Sequence, residues 1–435
     1  MKDIENSKKE APLKESPFLG LTGMGGGVAS LMWHSAAGVG PFYLWGVGSN
    51  GYGILGQNSL QNQSSPVQIP GDWQTIGDGV TSRIGTKPDG TLWVWGRNTY
   101  GGLGLNEPES SHKSSPTQIP GTNWSAGSAA GYHMMAVKTN GELWMWGNNN
   151  IGMLGQGTSG NYISSPVQVP GSWSITQDSF SAMSNSAQAI KQDGTMWMWG
   201  GNQQGNLMQN TKGGGPNVPN GVDGYSSPRQ VANNSSGGWK FAGGGGPVAF
   251  AIDNNDNLWA CGGPGARGNG DGQTLKKSSP TQIPGTWTVF GTNPQGTSAW
   301  GSEDGSTQGK AWGFNNYGRL GINLSPNSPQ PDSDFKDSPV NMFHSIPYYD
   351  AGQIDFADMT GTNNNGYGVD TSGRLWAWGT QSNGALGQNQ SGVGFPGGNY
   401  NVDPTARSAP VQIGTETTWY SVRRSNGGCS MLQNQ

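Results

Sequence analysis

The side chains of this chain that could do chemistry are few and scattered. Four histidines, His34, His112, His133 and His344, stand in unlike local contexts. Nucleophilic catalysis needs a Ser or Cys beside a His base that a carboxylate orients. No segment here has a recognisable setting of that kind. Cys261 and Cys429 are too far apart for a zinc motif and too few for a disulfide framework. Cys261 takes a place that tryptophan holds elsewhere in the chain, so it reads as a small buried side chain. Asp253, Asp256 and Asn257 in AIDNNDN imitate part of a calcium loop. The bidentate Glu that such a loop needs at its twelfth position is missing, and the segment reads as a hairpin turn. The glycine run Gly243–Gly246 lacks the Lys-Ser/Thr and the helix of a phosphate loop. Lys276-Lys277 and Arg423-Arg424 are isolated basic pairs. Net charge is -4 and the pI about 5.6, so there is no broad basic footprint for nucleic acid. No catalytic, cofactor-binding or metal-binding residue is assigned, and the chain reads as a non-enzyme.

The elements that would position any site must suit an unusual composition. Of 435 residues, 76 are glycine and 19 tryptophan; charged residues make up 11% and hydrophobic residues 32%. An ordinary globular chain has about 7% glycine and about 25% charge. No apolar run approaches the ~20 residues of a membrane span. Glycine has no three-residue period, which excludes collagen. So many indoles exclude a disordered chain, because burying them offsets the entropy of ordering. Short aromatic runs punctuated by glycine point to an all-β fold. The opening residues, Met1 to Ser16, are polar with mixed charge and do not read as a secretory signal.

The strands belong to one unit written seven times. A Trp-Gly pair ends a strand at Trp45-Gly46, Trp95-Gly96, Trp146-Gly147, Trp199-Gly200, Trp312-Gly313 and Trp378-Gly379, with a degraded copy at Cys261-Gly262. An Asn/Gly stretch follows each pair, often with Leu-Gly. A strand containing Pro66, Pro116, Pro166, Pro228, Pro280, Pro339 or Pro410 comes next. A Trp opener follows, at Trp73, Trp124, Trp173, Trp239, Trp287 and Trp419, with Phe356 in the sixth copy. A strand and a tight turn such as Asp89-Gly90 complete the unit. Trp33 and Trp300 read as occupants of the strand position that Val137 holds. A unit of this size cannot bury both faces alone, whereas seven arranged radially can. The expected fold is an all-β, seven-bladed β-propeller of about 50–66-residue repeats with a short N-terminal arm. The arm is residues 1–30 and the propeller 31–435. Trp45, Trp95, Trp146, Trp199, Trp312 and Trp378 are the expected packing residues between blades, and the glycine after each is expected to allow close backbone approach near a crowded axis.

These motifs resemble the regulator of chromosome condensation repeat family. LWVWGRNTYGGLG (92–104), SSPTQIPG (114–121) and GYHMMAVKTNGELWMWG (131–147) carry the resemblance, which covers roughly residues 30–425. It implies a seven-bladed propeller. His133 takes the family's usual strand position and is expected to be packed or hydrogen-bonded. The family includes exchange factors for a small GTPase, whose activity relies on acidic residues on one face and a β-wedge. Neither feature can be matched to a position here, so the resemblance carries the fold and not that chemistry.

Two features lie outside the repeat. There is one surplus copy of the segment after the opener, either Leu21–Trp33 or Asn426–Leu432. It is either a closing strand or tail, or a segment that leaves the ring and pairs with another chain. The head, KESPFLGLTGMGGGVAS (14–30), resembles the short leaders of tailed marine phage structural proteins. That implies an anchoring arm, with Phe18, Leu19, Leu21 and Met24 as its apolar residues; the alternative is an untidy terminus.

Three loops expand at one point of the repeat, Asn210–Tyr225, Leu324–Lys336 and Ser391–Ala406, which places them on one face. Tyr225, Phe335, Phe395 and Tyr400 are their candidate binding residues; simple tolerated loop growth is the alternative. The resulting expectation is a structural and interaction propeller: a virion component whose partners are other virion or assembly proteins, with a host-surface glycan or protein as a further partner. Neither nucleic-acid binding nor membrane insertion is expected. A bacterial surface or secreted propeller and an intracellular exchange-type regulator are the alternatives.

Overall fold

The computed structural model describes residues 40–210, 224–232, 237–263, 265–272, 275–304, 306, 308–322, 335–342, 354–389, 406–424 and 428–435. Strands and short 3-10 turns make up its regular structure, with no α-helix among the described residues. The strands form seven four-stranded antiparallel blades. Blade 2 shows the plan: Thr75–Asp78 innermost, then Ser82–Thr86, Leu92–Gly96, and Lys113–Ile119 at the rim. Blade 3 repeats it with Trp124–Ala129, His133–Lys138, Leu143–Gly147 and Ile163–Val169. Blade 4 uses Phe180–Ala182, Ser186–Ile190, Met196–Gly201 and Gly224–Gln230. Blade 5 begins with Trp239–Gly245, Val248–Asp253 and Asn257–Gly262. The long strand Lys277–Thr292 then serves twice, as the rim of blade 5 and the innermost strand of blade 6. Ser298–Glu303, Lys310–Gly313 and Lys336–Asn341 complete blade 6. Phe356–Gly361, Asn365–Asp370, Leu375–Gly379 and Arg407–Ile413 form blade 7.

Blade 1 closes the ring from both ends of the chain. Phe42–Gly48 and Gln63–Trp73 come from one end, and Trp419–Arg424 and Gly428–Asn434 from the other. Phe42 to Gly48 pair residue by residue with Asn434 to Gly428. The surplus C-terminal copy is therefore a strand of the ring; Leu21–Trp33 lies outside the described residues. Each innermost strand touches the innermost strand of the next blade, and Trp419–Arg424 touches Thr75–Asp78.

Local chemistry explains the recurring strand ends. Asp89 Oδ1 accepts from the Thr91 N–H and hydroxyl, and Thr91 in turn accepts from the Trp93 indole. Asp193, Thr195 and Trp197 repeat that turn. A buried Asn staples each following loop: Asn50, Asn98, Asn149, Asn202 and Asn315 each accept the N–H of the leucine five residues on. Satisfying backbone groups in this way lets an irregular loop be buried.

The register corrects three readings. In blade 1, Leu44 faces Ile69, Trp45 faces Gln68 and Gly48 faces Gln63. In blade 2, Leu92 faces Ile119, Trp93 faces Gln118 and Gly96 faces Lys113. Trp45 therefore matches Trp93, not Trp95, and Val47-Gly48 is the true counterpart of Trp95-Gly96. Gly48 and Gly96 share a φ near +100° (99° and 100°), a conformation that penalises a Cβ. The close approach at Gly96 is to Thr81 O and Ser82 of its own blade, where a Cβ would stand 2.5 Å from Thr81 O, and not to the axis. Trp300 takes the place of Met135, since it faces Ala311 as Met135 faces Met145.

Candidate interaction face

The blades are joined by contacts that the repeat supplies at every junction. Trp95, Trp146, Trp199, Trp312 and Trp378 are buried, and each indole donates to a carbonyl of the preceding blade. The acceptors are Ile54 O (2.8 Å), Gly102 O (3.0 Å), Met153 O (2.9 Å), Ala266 O (2.8 Å) and Arg319 O (2.7 Å). Trp45 makes no such bond. Its ring sits edge-on to Trp419 at 6.0 Å, as Trp144 does to Trp124 at 6.4 Å. A second ladder runs along the rim, where Asn58, Asn106, Gly157, Asn210 and Asn389 donate to Ser114, Ser164, Ser226, Ser278 and Ser64 carbonyls of the neighbouring blade. These serines lie two residues before the strand prolines.

Strand alternation puts two sets of connections on one face: the turns between the innermost and second strands, and the loops between the third strand and the rim. Across blades 1 to 3 this face carries a shelf of aromatic rings. The Arg97 guanidinium lies 4.8 Å from the Tyr52 ring and 5.6 Å from the Tyr132 ring. Tyr100 meets Tyr132 edge-on at 5.4 Å and Tyr162 at 6.5 Å, and His112 meets Tyr52 at 5.4 Å. Tyr132 and Tyr162 are exposed, at 39% and 46%. The ring positions are fixed from below: Arg97 Nε donates to Thr99 Oγ1, and His112 Nδ1 accepts the Asn98 N–H. Partial burial and the nearby Arg97 charge lower the His112 pKa, which favours the neutral acceptor form. Rigid tyrosines with a stacked cation suit recognition of a partner surface. Sequence reasoning missed this shelf, although Tyr-Gly recurs in the loops at Tyr52, Tyr100 and Tyr317.

Where the innermost strands meet, they surround a cavity of about 130 Å³. Asp78, Ser128, Asp178, Phe241, Thr292, Asp358 and Arg423, one from each blade, line it. Asp358 Oδ2 of blade 7 accepts from three groups of blade 1, namely Ser421 Oγ at 2.8 Å, the Val422 N–H at 2.9 Å and Arg423 Nη1 at 3.2 Å. Burial pulls the Arg423 pKa down, but the Asp358 and Asp178 carboxylates outweigh it and hold the guanidinium above its usual value. Asp78 and Arg83 form a fully buried pair at 2.8 Å. Burial raises the Asp78 pKa, and Arg83 offsets part of that rise. These charges staple the inner strands together. Among the described residues, no group of three His, Cys, Asp or Glu could hold a metal ion.

The remaining candidates are engaged in packing or turns. Asp253 Oδ1 accepts from the N–H groups of Asn255 and Asn257, and Oδ2 accepts from the Asn257 amide and the Trp259 indole, so its acceptors serve the hairpin. Cys261 and Cys429 are buried; burial pushes the Cys261 thiol up to about 12 and raises that of Cys429 well above its usual value. His133 is buried, and burial lowers its pKa to about 4, with the Ser186 backbone offsetting a little. Tyr225 lies half-buried under the Arg229 guanidinium at 4.0 Å, and Phe335 packs edge-on to Phe314 at 5.0 Å. Phe18, Leu19, Leu21, Met24, Phe395, Tyr400, His34 and His344 lie outside the described residues.

Comparison with known proteins agrees with this architecture. Residues 89–137 and 140–182 match the model of the Regulator of chromosome condensation (RCC1) repeat. A search of curated protein sequences finds no match. Among solved structures, Prp20p from Saccharomyces cerevisiae, described with its binding properties to Gsp1p and histones, is 15% identical. The likeness covers 91% of this chain and 92% of that one, with a TM-score of 0.69. Yeast RCC1 (Prp20) bound to Kap60 is 15% identical over 98% of this chain and 96% of that one, with a TM-score of 0.71. Human WBSCR16 is 14% identical over 91% and 99%, with a TM-score of 0.70. At these identities the likeness carries the fold: an RCC1-like seven-bladed propeller.

Proposed function

We propose that this chain is a non-catalytic interaction propeller that binds a protein partner through the tyrosine shelf. The carrying observation is Arg97 stacked between Tyr52 and Tyr132, with Tyr132 and Tyr162 exposed beside it. The shelf's rings come from three neighbouring blades and form one continuous patch. Aromatic side chains and arginine are the residues from which binding hot spots are most often built.

The setting we propose is a tailed phage particle, with the propeller displayed as a decoration, tail or fibre-associated protein and residues 1–30 as the attachment arm. Support comes from the leader at 14–30 and from the low charge of the repeat region, which suits an assembled surface better than a freely diffusing one. Mass spectrometry of purified virions tests this setting, and absence of the chain from particles refutes it. The double variant Tyr132→Ala/Tyr162→Ala tests the shelf. It should fold normally and lose its partner in pull-downs from particle lysate.

A second reading rests on the likeness to Prp20p, whose structure is described with binding to Gsp1p and histones. Under it the partner is a small GTPase. A nucleotide-release assay with the purified propeller decides between the two, because accelerated release would favour the second reading.

A further inference from the structure

The buried arginines of this propeller differ in one respect. Arg83 is paired with Asp78 and Arg267 with Asp271, while half-buried Arg423 is paired with Asp358. Arg319 is also buried, at 5% exposure against 0% and 1% for Arg83 and Arg267, and has no carboxylate partner among the described residues. Its Nε donates to Phe314 O at 2.8 Å and its Nη1 to Asn363 O, which leaves Nη2 without a protein acceptor among those residues. The repeat does not require an arginine there. The matching residues before the loop leucine are Ile54, Gly102, Met153 and Asn206, and the part played by this position at the blade junctions is its backbone carbonyl. A largely buried guanidinium with no carboxylate partner is costly, the Phe314 ring at 5.8 Å offsets only part of that cost, and sites that retain such a group commonly meet an anion.

Arg319 lines an open depression of the surface between blades 6 and 7, on the same face as the tyrosine shelf. The other walls are amides and hydroxyls, among them Gln295, Asn316 and Asn364, with the rings of Phe314 and Tyr317. Amides both donate and accept, as a ligand rich in hydroxyls demands. Aromatic rings cover the apolar face of such a ligand. Burial lowers the Arg319 pKa to about 10, so it stays charged at neutral pH.

We propose that this depression binds an acidic sugar, with Arg319 receiving its carboxylate and the surrounding amides its hydroxyls. The sugar could arrive free or as the terminal residue of a glycan. The proposal goes beyond the interaction reading, at another site on the same face, and does not depend on where the propeller is mounted, so failure of the virion setting would leave it intact.

The test is titration of the purified full chain with glucuronate and N-acetylneuraminate, followed by calorimetry or NMR, with glucose and acetate as controls. At least one acidic sugar should bind tenfold or more tightly than both controls. Arg319→Gln should remove that preference. Because Arg319 also anchors the loop, Asn364→Ala is the second variant; it keeps the guanidinium and should weaken the sugar without affecting thermal stability. A glycan array carrying sialylated and uronate-terminated chains then separates a free sugar from a glycan end. Equal binding of acetate and glucuronate would overturn the sugar assignment. No binding of either acidic sugar would overturn the site.

Discussion

Met208 and Cys261 are a matched pair across the junction of blades 4 and 5. At the other junctions with an indole, the residue after the loop leucine (Arg267 in blade 5) is glycine in the left-handed region, as at Gly104 (φ 71°), and the indole of the next blade covers it. A Cβ on Gly104 would stand 2.6 Å from Trp146 Nε1, and one on Gly268 2.6 Å from Trp312 Nε1. Where the indole is replaced by Cys261, the glycine is replaced by Met208, which keeps the positive φ (54°) and packs in the same apolar cluster as the cysteine. The Met208 backbone also hydrogen-bonds the thiol. One large side chain fills the junction in either case, supplied from opposite blades.

This pairing predicts non-additivity. Cys261→Trp alone should overpack the junction and cost about 1–3 kcal/mol. Adding Met208→Gly should restore much of that loss, with a coupling of about 0.5–3 kcal/mol in a double-mutant cycle read from urea unfolding. Additive losses would refute the exchange.

Arg83→Met should be strongly destabilising, by about 3–5 kcal/mol, because it strands the buried Asp78 carboxylate. Asp78→Asn in the same chain should recover most of the loss. Thermal unfolding of both variants measures this, and no recovery would show that Arg83 acts through packing or its bond to Ile54 O instead.

His133 makes stability fall in acid. It is neutral when folded, with a pKa near 4 against 6.5 when unfolded, so the unfolded chain takes up the proton first. Its contribution is fully present above pH 6.5 and is lost progressively as pH falls towards 4, to a total of about 3 kcal/mol. His133→Ser, which places here the residue found at Ser186 and Ser298, should flatten this part of the profile. Urea midpoints at pH 7 and pH 4.5 measure the difference between the two proteins.

Closure by Gly428–Asn434 makes Cys429 a reporter of ring opening. Both thiols are buried and held protonated, so a thiol reagent should leave the native protein untouched. In rising urea Cys429 should label before Cys261, since a terminal strand frays first. Deleting residues 428–435 would expose two strand edges and should produce aggregation. Simultaneous labelling of both thiols would show that the ring unfolds as one unit.

The repeat was legible because its signals are local. The Asp-Gly turns, the Trp-Gly strand ends and the strand prolines each act within a few residues, so seven copies announced seven blades. Blade 1 misled for the same reason: Trp45-Gly46 looks like the other pairs, and only cross-strand pairing with Ile69 and Gln63 shows that Val47-Gly48 holds the place. Tyr225 and Phe335 were singled out as aromatics in long loops. Both pack against their own blades, while the displayed rings sit on the unexpanded connections of blades 1 to 3.

By itself, then, the sequence determined the strand inventory, the blade number and the inter-blade packing of Trp95, Trp146, Trp199, Trp312 and Trp378, because periodic local chemistry repeats wherever its residues repeat. The tertiary structure decided which terminal strand closes the ring, which arginines meet an aspartate, and which tyrosines gather round Arg97. Those outcomes join residues tens to hundreds of positions apart. Burial and charge pairing depend on neighbours brought together only when the ring closes, and no local pattern encodes them.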